Sequence, residues 1–149
     1  MHKLWTDGGA RGNPGPGGIG VVLLDPQGNV VKEIDKGIGW ATNNVAEYTG
    51  LIEGLELALE EGVEHIHVHM DSKLVVEQVR GRWRVKHAGL KPLHARAVEL
   101  SRKFQKVLFT AVPREQNSRA DELMNQGIDR WLAENPGATA PEPDEQTLF

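Results

Sequence analysis

Cysteine is absent from the 149 residues. That excludes disulfides, thiolate nucleophiles and cysteine–zinc sites. Also missing is any apolar run long enough to span a bilayer, and no basic start followed by an apolar stretch opens the chain. The expected compartment is therefore the cytoplasm, with no membrane partner. Positive charge is missing from the C-terminal stretch: Glu134, Glu142, Asp144 and Glu145 follow Leu132 with no Lys or Arg among them. The net charge of −4 thus says little about the rest of the chain, where 17 acids face 17 bases. Acid is in turn missing from the segment that holds Arg80, Arg82, Arg84, Lys86 and Lys91. A local basic patch of this kind matters more for phosphate contact than the global sum.

What is there is an ordinary globular composition, 39% hydrophobic and 26% charged, of a length that fits one domain. The reading places that domain at residues 1–133, followed by a disordered, acidic, Pro-rich tail at 134–149. Lys3–Thr6, Gly18–Leu24 and Val30–Ile38 read as three strands, too closely connected for crossovers and so antiparallel. A Gly/Pro-rich loop over Gly8–Gly18 separates the first two. Thr42-Asn43-Asn44 starts a helix that stops near Gly62. His65–Met70 alternates as a strand, with His65, His67 and His69 on one face. Short helices are expected from Ser72 to Arg80 and from Pro92 to Phe104, then a fifth strand at Val107–Val112. A last helix, capped by Ser118, runs through Trp131. The order predicts an α/β fold: a five-stranded mixed sheet, antiparallel meander plus parallel strands, with helices on both faces.

Four acids fall at the boundaries of these elements. Asp7 ends the first strand, Glu47 begins the long helix, Asp71 ends the fourth strand and Asp121 begins the last helix. Each alone reads as a turn, capping or helix-dipole residue. Together they read as a hard-cation site. Glu47 shares a helix face with Leu51, Gly54 and Ala58, which turns it toward the sheet. Two Mg²⁺ ions about 4 Å apart can align an attacking water and stabilise the leaving oxygen of a phosphodiester.

The segments Asp7-Gly8-Gly9-Ala10-Arg11-Gly12-Asn13-Pro14-Gly15-Pro16-Gly17-Gly18, Ala41–Tyr48, Met70–Val75 and Asn117–Asp121, in this order, resemble type 1 ribonuclease H over roughly residues 1–132. The resemblance implies the ribonuclease H-like fold. It also implies Mg²⁺- or Mn²⁺-dependent endonucleolytic cleavage of the RNA strand of an RNA–DNA hybrid, leaving 5′-phosphate and 3′-hydroxyl ends. Asp7, Glu47 and Asp71 would hold one ion, Asp7 and Asp121 the second. Gly8, Gly9, Asn13, Thr42, Asn43, Asn44, Ser72 and Lys73 fall at hybrid-contacting positions, with Lys73 suited to a phosphate. Arg82, Trp83 and Arg84 would meet the DNA strand. The family's loop His, thought to aid product release, is absent; Arg114 or Glu115 stands in its place. The long basic insertion of some relatives is absent too.

Other readings remain at this stage. The fold could be a catalytically silent hybrid-binding module, or a DNA-processing nuclease of the same superfamily. A nucleotide-binding protein is disfavoured, because the Gly-rich stretch has no Walker Lys and precedes a strand. The three His residues read as a polar strand face, not a metal triad. The tail peptide Glu145-Gln146-Thr147-Leu148-Phe149 loosely resembles sliding-clamp-binding peptides, which suggests docking to a replication protein. A monomer is expected.

Overall fold

The computed structural model describes residues 1–140. Strands β1 (His2–Ala10), β2 (Gly15–Leu24), β3 (Val30–Ala41), β4 (His65–Met70) and β5 (Lys106–Ala111) form one sheet in the order β3-β2-β1-β4-β5. The pairs β1/β2 and β2/β3 are antiparallel, and β1/β4 and β4/β5 are parallel. Four helices complete the domain: α1 (Asn43–Glu60), α2 (Lys73–Val79), α3 (Lys91–Ser101) and α4 (Ser118–Glu134). Helix α1 packs on β1 and β2 on one face of the sheet, with α3 against it. Helix α4 lies over β2 and β3 on the other face and reaches β1. The predicted mixed sheet with helices on both faces is therefore present.

Local chemistry explains the elements. The Thr42 hydroxyl accepts from the Val45 N–H at 3.3 Å and starts α1. In β4 the alternation puts Ile66, Val68 and Met70 into the core, while His67 and His69 lie half-buried on the opposite face. There the Trp5 and His69 rings stack with centroids 4.3 Å apart, and the His67 ring lies 4.1 Å from His69, tilted by 32°. A short 3₁₀ turn, Ala88–Leu90, leads into α3.

The largest departure from expectation is the Gly/Pro stretch. It is not a loop over Gly8–Gly18. Strand β1 continues through Ala10 and β2 begins at Gly15, pairing Gly8 with Ile19, Gly9 with Gly18 and Ala10 with Gly17. Only residues 11–14 form the turn. The glycines serve packing. A Cβ on Gly8 would run into the Ala46 carbonyl of α1, and one on Gly20 into the Ala120 carbonyl of α4. Both helices thus sit backbone to backbone against the sheet.

Ser118 does not cap α4 as expected. Asn117 holds that position, and its side chain turns inward to the sheet instead. Helix α4 continues to Glu134, and residues 135–140 form no helix or strand. The clamp-like peptide lies outside the described residues. No helix among the described residues is long and apolar enough to cross a membrane.

Candidate active site

Strands β1 and β4 pair only from His2↔Ile66 to Trp5↔His69. Past Trp5 they part, while β1 stays paired to β2 as far as Ala10. This leaves a notch in the middle of the sheet. Asp7 stands inside β1 at the notch, only 5% exposed, not at a strand end as expected. Asp71 follows the last residue of β4 on the other side.

Two helix starts close on the notch. A Cβ on Gly50 would lie 2.7 Å from the Asp7 carbonyl, so α1 can approach this closely only with glycine there, and Glu47 rides in with it. At α4 the Asn117 side-chain amide donates to the Thr6 carbonyl at 2.9 Å. The Asn117 carbonyl in turn accepts the Asp121 N–H at 3.0 Å. The helix that carries Asp121 is thereby tied to the residue before Asp7. All four carboxylates line one cleft of ≈ 440 Å³, together with Arg11, Arg114 and Asn125.

The electrostatics follow from this crowding. Burial, then the charges of Asp71 and Asp121, push the Asp7 carboxyl up to about 8, against the Gly8 N–H that donates to its Oδ1 at 2.9 Å. Burial pushes Glu47 up to about 7; the Ser72 hydroxyl opposes the shift and Asp71 adds to it. Asp71 is raised by burial, with the Arg114 guanidinium pulling the other way. Arg114 reaches Asp121 at 3.9 Å from a largely exposed position on the rim. Glu115 is exposed and does not line the cleft. Among the described residues no three His, Cys, Asp or Glu side chains are already drawn to metal-ligand separation. The four carboxylates are nonetheless hard oxygen donors, which suits Mg²⁺ or Mn²⁺. The repulsion that lifts Asp7 is the repulsion a cation between these groups would relieve.

The other expected residues divide into two groups. Asn13 and Asn43 fasten the hairpin tip to α1: the Asn43 N–H donates to Asn13 Oδ1 at 3.0 Å, and the Ala10 N–H to Asn43 Oδ1 at 2.9 Å. Gly8 and Gly9 lie in the strand beside them, and the Gly8 N–H is taken by Asp7. Ser72 caps α2 by accepting the Val75 N–H at 3.2 Å. A second cleft, ≈ 540 Å³, is lined by Asn44, Arg82, Trp83, Arg84 and Lys86. Trp83 is 44% exposed, and the Lys73 ammonium lies 6.0 Å from its ring centre.

One correction concerns the charge of this patch. Glu77, unremarked in the sequence because it precedes the basic run, lies under it with its side chain only 12% exposed. It pairs with Arg80 at 3.5 Å and Arg82 at 3.8 Å. Arg84 and Lys86 have no ion pair among the described residues. Sequence reading also missed Gln78, buried in α2, whose Oε1 accepts the Tyr48 hydroxyl at 2.6 Å and whose amide reaches the Arg84 carbonyl. It missed Asn125, one helical turn past Asp121, where the i+4 spacing was the available signal. Arg11 binds Asp129 at 2.7 Å and contacts Asn125.

Comparison with known proteins decides the family. The model of the reverse transcriptase-like family matches residues 5–127. A ribonuclease H1 isolated from compost, solved in complex with an RNA/DNA hybrid, superposes with a TM-score of 0.84 at 44% identity, covering 89% of this chain and 99% of that one. The chain belongs to the ribonuclease H family. Ribonuclease HI of Halobacterium salinarum is 44% identical over 84% of this chain and 63% of its own length. A bifunctional protein of Mycobacterium tuberculosis is 50% identical over 83% of this chain. The present chain spans about a third, 34%, of that longer relative.

Proposed function

We propose that this chain is a ribonuclease H that cuts the RNA strand of RNA–DNA hybrids internally, leaving 5′-phosphate and 3′-hydroxyl ends. Asp7, Glu47, Asp71 and Asp121 hold two divalent cations, Mg²⁺ or Mn²⁺. When bound, such ions lower the pKa of an attacking water and stabilise charge on the leaving oxygen. The observation that carries the reading is the gathering of four carboxylates, from four separate elements, around one cleft at the sheet notch.

The chain's own groups have distinct work. Asp7, fixed inside a strand with one oxygen occupied by the Gly8 N–H, presents the other from a rigid position. Glu47 and Asp71 stand on the α1 side, where the Ser72 hydroxyl favours the charged form of Glu47. Asp121 stands on the α4 side beside Arg114, whose exposed guanidinium can accompany a departing phosphate. Asn13, Asn43 and Asn44, with Gly8 and Gly9, border the path on which the ribose 2′-hydroxyl distinguishes RNA, and Thr42 helps hold a DNA phosphate. Arg82, Trp83 and Arg84 receive the DNA strand at the second cleft, reading backbone and shape rather than sequence, and Lys73 beside Trp83 takes a phosphate.

The deciding experiment uses an end-labelled hybrid with Mg²⁺, Mn²⁺ or EDTA, and compares wild type with Asp7→Asn. Duplex DNA and double-stranded RNA run alongside. Metal-dependent cutting confined to the hybrid's RNA, and lost in Asp7→Asn, is expected. Retained binding without cutting would indicate a silent hybrid-binding module, and preferred cutting of DNA a different nuclease of the superfamily.

A further inference from the structure

Helix α2 ends beneath the second cleft, and Gln78 in its last turn is where neighbouring elements meet. From α1, the Tyr48 hydroxyl donates to Gln78 Oε1 at 2.6 Å, and both residues are buried. Burial pushes the Tyr48 hydroxyl above its ordinary pKa, so it keeps its proton and stays a donor. From α3, His94 Nε2 donates to the Gln78 carbonyl at 3.0 Å, and the His94 ring stands edge-on to Tyr48. From the loop that follows α2, the Gly81 N–H donates to the same carbonyl at 3.1 Å. Gln78 Nε2 then reaches the Arg84 carbonyl, at 3.5 Å.

The amide can face only one way. The Arg84 carbonyl accepts and cannot donate, so it requires the NH₂ end of Gln78. That leaves Oε1 for Tyr48, whose hydroxyl supplies the proton. Reversing the amide would set two acceptors against each other. The loop beyond α2 has two parts. Its first part is tied by main chain: the Arg82 and Trp83 N–H groups both donate to the Glu77 carbonyl, at 2.9 and 3.1 Å. In its second part, among the described residues, Arg84, Val85 and Lys86 make no main-chain hydrogen bond. Val85 packs on the core, and the Gln78 amide is the polar tie to this stretch. The same stretch carries Arg84 and Lys86, cations of the second cleft with no ion pair among the described residues.

We infer that Gln78 is a positioning residue: oriented by Tyr48, it holds Arg84 and Lys86 in place, so that a nucleic-acid strand meets a preformed cationic surface. Tyr48 follows Glu47, which lines the carboxylate cleft, and lies one helical turn past Asn44, which lines the second cleft. The Tyr48–Gln78 bond therefore also fixes the spacing between the two clefts. The inference rests on the proposed reading of the second cleft as the seat of the DNA strand.

The test uses the full chain with Gln78→Met, which keeps most of the volume and removes the side-chain hydrogen bonds, and with Tyr48→Phe, which removes only the hydroxyl. NMR relaxation of the free proteins in EDTA follows the main-chain N–H groups of residues 83–86. Hybrid affinity is measured in EDTA, and cleavage in Mg²⁺ separates KM from kcat. Both variants should lose order at residues 84–86 but not at Trp83, whose N–H is held by Glu77. Hybrid affinity should fall several-fold, and KM should rise in step while kcat stays within about twofold, the pattern of lost binding. Adding Tyr48→Phe to Gln78→Met should change little, because the shared bond is already gone. Unchanged order at residues 84–86 in both variants overturns the proposal. So does a loss of order spread evenly over the chain in both, or a fall in kcat with KM unchanged. A wild type that binds no hybrid overturns the DNA-strand reading instead, and the relaxation measurement still decides the Gln78 tie by itself.

Discussion

A carboxylate inside a strand, 5% exposed and facing two more acids, is an expensive residue unless something offsets its charge. Asp7 has a folded-state pKa of about 8, far above the ordinary 3.8, and Glu47 is raised to about 7. For an acid shifted upward, the stability tied to the proton is complete below the unfolded value and is lost as pH climbs through the folded value. Metal-free protein should therefore become less stable between pH 4 and pH 8. Asp7→Asn removes the larger contribution: it flattens the thermal-melting profile over that window and raises Tm at pH 8 while abolishing cleavage. Added Mg²⁺ should raise Tm at pH 8 in wild type far more than in Asp7→Asn. Melts of both proteins at several pH values, with and without Mg²⁺, would show it. A wild-type Tm that is flat from pH 4 to 8 would be incompatible with the account. Glu47, Asp71 and Asp121 could be found in the sequence because each lies at or near an element boundary, and Asp7 because it stands just before the Gly-rich stretch. That Asp7 lies inside its strand could not, because the strands on either side of the notch diverge only in three dimensions.

Among the elements, the β1–β2 hairpin was the least legible. Gly8, Gly9, Gly15, Gly17 and Gly18 have the composition of a loop, and nothing local distinguishes a glycine that turns the chain from one that lets a helix lie on it. For Gly8, Gly9 and Gly18 the distinction resides in partners far away in sequence: Ala46, Met124 and Ile128. By contrast the α1 start, the β4 alternation and the stop at Gly62 depend on neighbouring residues and were read correctly. The two kinds of glycine predict opposite sensitivities. Gly20→Ala drives a methyl group into the α4 backbone, so it should destabilise the fold by about 3 kcal/mol or more. It should also lower activity by shifting Asp121. Gly28 has φ +89° but open space around it, so Gly28→Ala should cost only about 1 kcal/mol and leave activity unchanged. Urea titrations paired with hybrid-cleavage rates separate the two. Equal losses in both variants would reject the packing role.

The whole molecule presents an acidic cleft and a basic, Trp83-bearing cleft on a chain of net charge −4. The sequence located the basic patch but overcounted it, since Glu77 comes before the run and only the fold of α2 turns it underneath. Arg84 and Lys86 should therefore dominate phosphate contact, and Arg82 should contribute less than its place in the run suggests. Arg84→Ala with Lys86→Ala should weaken hybrid binding uniformly across sequences and flatten the dependence of log K on log salt by roughly 2. Arg82→Ala alone should shift it less than Arg84→Ala alone. Binding isotherms at several salt concentrations test the ranking; a larger effect for Arg82 would contradict it.

The glycine contacts that bring α1 and α4 onto the sheet have a consequence for divergence. Side-chain volumes in a core drift as sequences change, and helices supported by them drift as well. Here the positions of Glu47 and Asp121 are set by main chain resting on main chain, which has the same dimensions in every sequence. Large parts of the apolar interior can be exchanged while a handful of glycines hold the carboxylates at a constant spacing. A relative in which more than half of the aligned residues differ still superposes with a TM-score of 0.84. The spacing of the carboxylates is in this way uncoupled from the side-chain volumes of the core.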